Sequence, residues 1–217
     1  TWSHDGVDSG ELVTAALTGG VPHPPGYPTY MLLAGPFSHL IAQEPARGVN
    51  LLSALSAALA ASLVAITTHR LLWGLWADSN LGTHIARTAI SAAAGLLLAF
   101  STTLWSQALI AEVYALHAAF AAAVLLLVIG LFREAAPVHR RMALWAAAFL
   151  LGLGAGNHLS LILMTPALVL ATVWCVWPTD RRTSTWLGAC GFLFIGLSIY
   201  LILPLRAQSG SPINWGD

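Results

Sequence analysis

The chain contains no lysine: its nine basic residues are all arginines, and nine acids balance them. That balance leaves no basic patch, which excludes nucleic acid as a partner. Charge of either sign is scarce, since 8% of the 217 residues are charged and 57% are hydrophobic. A soluble domain carries about 25% charged residues, so this chain cannot cover a surface facing water. Cysteine is scarcer still. Cys175 and Cys190 lie in apolar segments without ligand spacing and read as small hydrophobes, not as a disulfide or a metal site. No internal repeat is visible, so the paired halves of many transporters do not show.

What the chain has instead is apolar blocks of membrane-spanning length. Six are bounded by Arg, Pro, Asn, Asp or Gly, at about 49–70, 86–105, 110–132, 142–157, 159–177 and 186–205. They predict an all-α, polytopic transmembrane helix bundle. The fourth and fifth meet at Gly156-Asn157-His158, which reads as a tight helical hairpin with a polar tip. Dense small residues, as in Ser53 to Ser62 and Gly152 to Gly156, read as packing surfaces that let helices approach in lipid. The nine tryptophans fall mostly near span ends, as headgroup-level anchors.

The arginines orient this bundle. Arg70 and Arg87 flank the connection between spans one and two. Arg133, Arg140 and Arg141 lie between three and four, and Arg181 and Arg182 between five and six. Those connections share one side, which the positive-inside rule makes cytoplasmic. The opposite face receives residues 1–48, the turn from Ser106 to Glu112, the Asn157-His158 tip and a polar tail at 206–217. Three regions follow: an outer loop (1–48), a bundle of about six helices (49–205) and an outer tail (206–217). Beginning at Thr1 and stopping just after a polar motif, the sequence reads as processed or cut from a longer chain. Residues 28–43 are apolar but short. They predict a helix or helix pair in the membrane interface, which Pro36 bends or ends, with a short tilted span as the competing arrangement.

The chemistry-bearing residues collect on that outer face. Asp8 and Glu11, at i,i+3, share a face of any helix there and could act as a general base or hold a divalent cation, with His4 and Asp5 close enough to join. Alternatively Asp8 only caps the next helix. His23 stands in Pro22-His23-Pro24-Pro25, a run expected to be extended and stiff. Glu112 is costly at membrane depth without a partner, for which Arg206 is available, and Tyr114 and His117 follow it. Asn157 and His158 could donate to an anion or merely finish a helix. Arg206 is one of only two arginines on this face. It reads as a phosphate clamp or an interface anchor.

Asp8-Ser-Gly-Glu11, His23-Pro-Pro-Gly-Tyr-Pro28, Asn50-Leu-Leu-Ser-Ala54, Trp105-Ser-Gln107, Ala111-Glu-Val-Tyr-Ala-Leu-His117, Gly156-Asn-His158 and Pro212-Ile-Asn-Trp-Gly-Asp217 together resemble the bacterial DUF2723 membrane family. That family is related to the TMEM260 protein O-mannosyltransferase and has a GT-C type fold, with an acidic residue and interfacial helices in the first outer loop. The resemblance implies transfer of a sugar from a polyprenyl-phosphate donor to a periplasmic or outer-face acceptor, in a bacterial inner membrane. By resemblance Asp8 matches the catalytic acid, with Glu11 beside it. His23, Glu112, His117, Asn157, His158 and Arg206 are candidates for binding the donor phosphate or the acceptor. A divalent metal could sit at Asp8 and Glu11. Partners are the lipid-linked sugar, membrane lipids and, on a second reading, other membrane protein subunits around a noncatalytic GT-C-like scaffold. A third reading is a small-anion or lipid transporter.

Overall fold

A computed structural model describes residues 8–41, 43–76, 80–134 and 136–216. His4, Asp5 and Asp217 lie outside these residues. The described chain is all-α: α1 (Ser9–Thr18), α2 (Pro28–Ser38), α3 (Pro45–Leu75), α4 (Leu81–Ala99), α5 (Thr102–Ala108), α6 (Val113–Arg133) and α7 (Pro137–Ala155). A 3-10 segment (Leu159–Met164) then runs into α8 (Thr165–Cys175). The last rod is α9 (Thr183–Leu197), a 3-10 turn (Ser198–Leu201) and α10 (Ile202–Ala207).

Four of these rods have the length and apolarity to cross a membrane: Pro45–Leu75, Leu81–Ala99, Val113–Arg133 and the continuous Thr183–Ala207. This is an integral membrane protein. The other two expected spans form a hairpin of different character. The first turns of α7 hold His139, Arg140 and Arg141, and the segment Leu159–Cys175 is shorter.

The boundaries follow local chemistry that hydropathy does not report. Proline at the first helical position starts α3 and α7 four or five residues before the expected 49 and 142. Asn80 begins α4 by accepting from the Thr83 amide at 2.9 Å. The span expected at 86–105 is broken: α4 stops at Ala99, and Ser101 caps the separate helix α5 through the Leu104 amide. In α2, Pro36 sits inside the helix, which ends two residues later. At 11 residues α2 is about 16 Å long, too short for the ~30 Å hydrocarbon core, so the tilted-span arrangement fails.

The rods pack chiefly as α3 on α6 and α4, and α7 on α9 and α6. Small residues set the spacing. A Cβ on Gly95 would lie 2.9 Å from the Ala61 carbonyl of α3. At the α7–α9 crossing the approach is reciprocal: a Cβ on Gly152 would meet the Leu193 carbonyl at 2.4 Å, and one on Gly196 the Phe149 carbonyl at 2.4 Å. Lipid offers no hydrophobic drive for helix association, so this contact works through close packing alone.

The two ends of the bundle differ in kind. At one, Arg133 packs on Gly74, Arg140 donates to the carbonyls of Glu134 and Cys175, and Arg141 and Arg181 lie over Trp145 and Trp177. Arg87 is buried there and stacks 4.0 Å from the Trp73 ring centroid. At the other end the α1–α2 loop, the start of α6, the α7 terminus and the tail converge. The amide of Thr29 donates to the Gly156 carbonyl at 3.0 Å, and Asn157 Nδ2 to the Val113 carbonyl at 3.1 Å.

Because the obstacle at Gly152 is backbone, Gly152→Val should separate α7 from α9 and cost about 1–3 kcal/mol, read as a lower thermal midpoint in detergent. Gly191, where a Cβ would meet nothing within 4 Å, is the control: Gly191→Ala should not lower the midpoint and, by relieving a helix-interior glycine, should raise it slightly.

Candidate functional site

Asp8 occupies the N-cap position of α1 but makes no side-chain capping bond, so its carboxylate is free for other work. One turn on, Glu11 turns inward. The helix ends at Gly19 with φ 72°, and the chain enters the histidine-proline run. That run is a turn, not the extended segment expected: the Gly26 amide closes onto the His23 carbonyl at 2.9 Å, and Gly26 and Tyr27 both take positive φ. Tyr27, at φ 42°, is a non-glycine residue in the left-handed region, held there at the entrance to α2.

This turn aims His23 at Glu11. The His23 amide donates to Glu11 Oε1 at 2.7 Å, and His23 Nδ1 lies 2.9 Å from Glu11 Oε2. Both carboxylate oxygens of Glu11 therefore serve His23. The other ring nitrogen, Nε2, is 3.0 Å from the Tyr27 hydroxyl and 3.6 Å from Asp8 Oδ2. The side chain of Asp8 is 56% exposed, against 25% for His23 and 23% for Glu11, so Asp8 is the member open to an incoming molecule. Asp8, Glu11 and His23 each offer a ligand atom, all within 4.8 Å of one another, and such a set can coordinate a metal ion.

Glu112 precedes α6 and is buried. Burial raises its pKa, and the charge of Asp8 raises it further. The backbone amides of Asp8 and Val113 and the His23 ring act in the opposite direction. Burial likewise raises the Tyr27 phenol, with Tyr114, Asp8, Glu112 and Glu11 adding to the effect, which puts all four in its neighbourhood.

A second polar group stands one turn into α6. The Ser160 amide donates to His158 Nδ1 at 3.3 Å, and Ser160 Oγ lies 2.7 Å from that nitrogen and 3.3 Å from His117 Nε2. Because Nδ1 accepts, a neutral His158 carries its proton on Nε2. The His158 ring lies 5.2 Å from that of His117 and 5.5 Å from that of Tyr114, centroid to centroid. Asn157 is fully buried and ties the hairpin tip to α6, and its Oδ1 has no hydrogen-bond partner among the described residues.

Arg206 does not join either group. Its guanidinium donates to the carbonyls of Gly20 at 3.4 Å and Met31 at 3.1 Å, bracing the ends of the α1–α2 connection. The expected pair with Glu112 does not form. The residues that sequence reasoning left without a role are Tyr27, Tyr114 and Ser160. Position could have flagged two of them: Tyr27 is four residues after His23, and Ser160 two after His158.

The chain was compared with known proteins. Residues 8–181 match the family model described as the protein O-mannosyl-transferase TMEM260 N-terminal domain. The protein O-mannosyl-transferase TMEM260 of Mus musculus is 33% identical over 221 residues, covering 98% of this chain and 29% of that protein. The tmem260 protein of Dictyostelium discoideum is 25% identical over 237 residues, covering 99% of this chain and 26% of its own length. The chain thus spans under a third of the curated relatives it matches. No solved structure matches it. The kinship found is with TMEM260. The chain belongs to the family of the TMEM260 N-terminal domain.

Proposed function

We propose that this chain carries the acceptor side and part of the donor side of a GT-C type glycosyl-transfer site. In this reading a sugar passes from a polyprenyl phosphate to an acceptor hydroxyl on the outer face, which is periplasmic in a bacterial inner membrane. The arginine-rich end faces the cytoplasm by the positive-inside rule, and α2 lies in the interface with Leu32 and Leu33 exposed. The carrying observation is the gathering of Asp8, Glu11, His23, Tyr27 and Glu112 at the end of the bundle that also holds His117, His158 and Ser160.

The chemistry needs a base at the acceptor and donors at the leaving group. Asp8, exposed and free of capping, takes the proton of the acceptor hydroxyl. The acceptor oxygen then bonds to the anomeric carbon, and the bond from that carbon to the phosphate oxygen breaks with its electron pair leaving on the polyprenyl phosphate. Glu11 is a positioning residue: with both oxygens on His23 it fixes the ring so that Nε2 faces Tyr27 and Asp8. His158 Nε2–H, left free by the Ser160 bonds, is a donor suited to a phosphate oxygen. Arg206 braces the loop in this arrangement. The relatives are named O-mannosyl-transferases, so a polyprenyl-phosphate mannose and a peptide hydroxyl are the first substrates to try.

The same residues suit a divalent cation. Asp8 Oδ2 and His23 Nε2 are separated by 3.6 Å, about the spacing of two ligand atoms on one ion, and Glu11 at Nδ1 is the carboxylate partner that ligating histidines usually have. When bound, such an ion would neutralise charge on the donor phosphate. Mn²⁺ added to the purified chain should give an EPR signal of bound ion that Asp8→Asn and His23→Gln each abolish. Unaltered Mn²⁺ binding by both variants removes the metal from this reading.

Asp8→Asn should lower transfer about 10²–10⁴-fold in proteoliposomes while the melting curve stays put; undiminished turnover ends the assignment. Glu112 gives a test without substrate. Its raised pKa means the folded chain holds that proton more tightly than the unfolded chain, so its contribution is complete below the ordinary value of 4.5 and is lost as pH rises through the higher folded value. The thermal midpoint of Glu112→Gln should therefore gain on that of the parent as pH is raised toward neutrality.

A further inference from the structure

At the arginine-rich end, α8 and α9 both rest on α7 but barely touch each other. The gap is a cleft of about 200 Å³, floored by Ala148 and Leu151 and walled by Val169 and Val173 on one side and Ala189 and Cys190 on the other. Val169, Val173 and Cys190 are exposed, so the cleft opens sideways to the surroundings of the bundle. Its lining, almost wholly apolar, suits a length of alkyl chain.

One end of the cleft is framed by groups of a different kind. Trp186 lines the cleft and meets Trp177 with ring centroids 5.3 Å apart, and Arg181 lies over Trp177. Trp145, wedged against Gly188, donates from Nε1 to the Thr185 carbonyl and carries Arg141 over its ring. Asp180 accepts from the Arg182 amide and the Thr185 hydroxyl. Arg141 and Arg182 stand near Asp180, and Arg181 lies over Trp177, so the rim carries three arginines and one aspartate. Two of its donors, Arg141 Nε and Trp186 Nε1, have no hydrogen-bond partner among the described residues.

An apolar slot that ends in tryptophans and excess positive charge matches a molecule with an alkyl chain and a negative head. We infer that the cleft between α8 and α9 is a binding site for an anionic phospholipid of the surrounding leaflet, one chain in the slot and the phosphate at Arg141, Arg181 and Arg182. The site lies at the opposite end of the bundle from Asp8 and His23 and stands whether or not transfer occurs there.

The test is native mass spectrometry of the full chain with phosphatidylglycerol or phosphatidylcholine of identical chains. Phosphatidylglycerol should be retained preferentially, and the double variant Arg181→Gln/Arg182→Gln should weaken it about 30-fold. Ala189→Trp, which fills the slot and leaves the arginines in place, should abolish retention. If that variant does not fold, as judged by its melt, Cys190→Phe replaces it. In nanodiscs, alkylation of Cys190 by an apolar maleimide should be slower with phosphatidylglycerol than with phosphatidylcholine. Equal retention of the two lipids, retention indifferent to filling the slot, or glycerol phosphate binding as tightly as the whole lipid would each overturn the assignment.

Discussion

The outer end of this protein depends on a short piece of backbone pairing between segments almost two hundred residues apart in sequence. The Val21 amide donates to the Ile213 carbonyl, and the Trp215 amide to the Val21 carbonyl. Beside them Thr18 and Ser211 share a hydroxyl contact at 2.6 Å, and Arg206 reaches back to Gly20 and Met31. Val21 is two residues from His23. This clasp ties the turn that aims His23 at Glu11 to the tail. Gly20 is part of the fit, since a Cβ there would lie 2.2 Å from the Ile213 carbonyl. A loop that carries chemistry must be held by something rigid, and here the tail supplies it.

That constraint also explains what sequence could and could not reveal. Hydropathy and the arginine pattern are local properties, and they were enough for the helical rods and for the segregation of Arg133, Arg140, Arg141, Arg181 and Arg182 from Asp8, Glu11 and His23. Caps and breaks were legible in principle but are overridden by apolar composition: Phe100-Ser101 looks continuous in hydropathy, yet Ser101 restarts the helix. The histidine-proline run misled for a physical reason. Proline fixes φ but not the direction taken at the following glycine, and Gly26 with Tyr27 turns the chain. Long-range pairing was not legible at all, because nothing local distinguishes an arginine that will meet Glu112 from one that will meet the carbonyls of Gly20 and Met31.

The same logic separates the carboxylates by role. Asp8 and Glu11 are one helical turn apart and chemically alike, yet one is open and the other is committed through both oxygens to His23. Spacing predicted a shared face; only the fold of the 19–27 turn decides which of the two is available. Glu112, reached from a different helix, is the third acid at this end, and burial first and the charge of Asp8 second raise its pKa.

Three carboxyl groups in one mouth, with Arg206 engaged by backbone carbonyls, pose an electrostatic problem for any phosphate that approaches. Like charges held close together repel one another and a phosphate alike. The described residues offer two remedies: the raised pKa of Glu112, which eases its protonation, and a cation held by Asp8, Glu11 and His23. Each removes negative charge from the mouth. On the proposed reading, a phosphate-bearing donor is favoured at this end of the bundle when one of these is in place, so cation or proton binding at the cluster and donor binding should be thermodynamically linked.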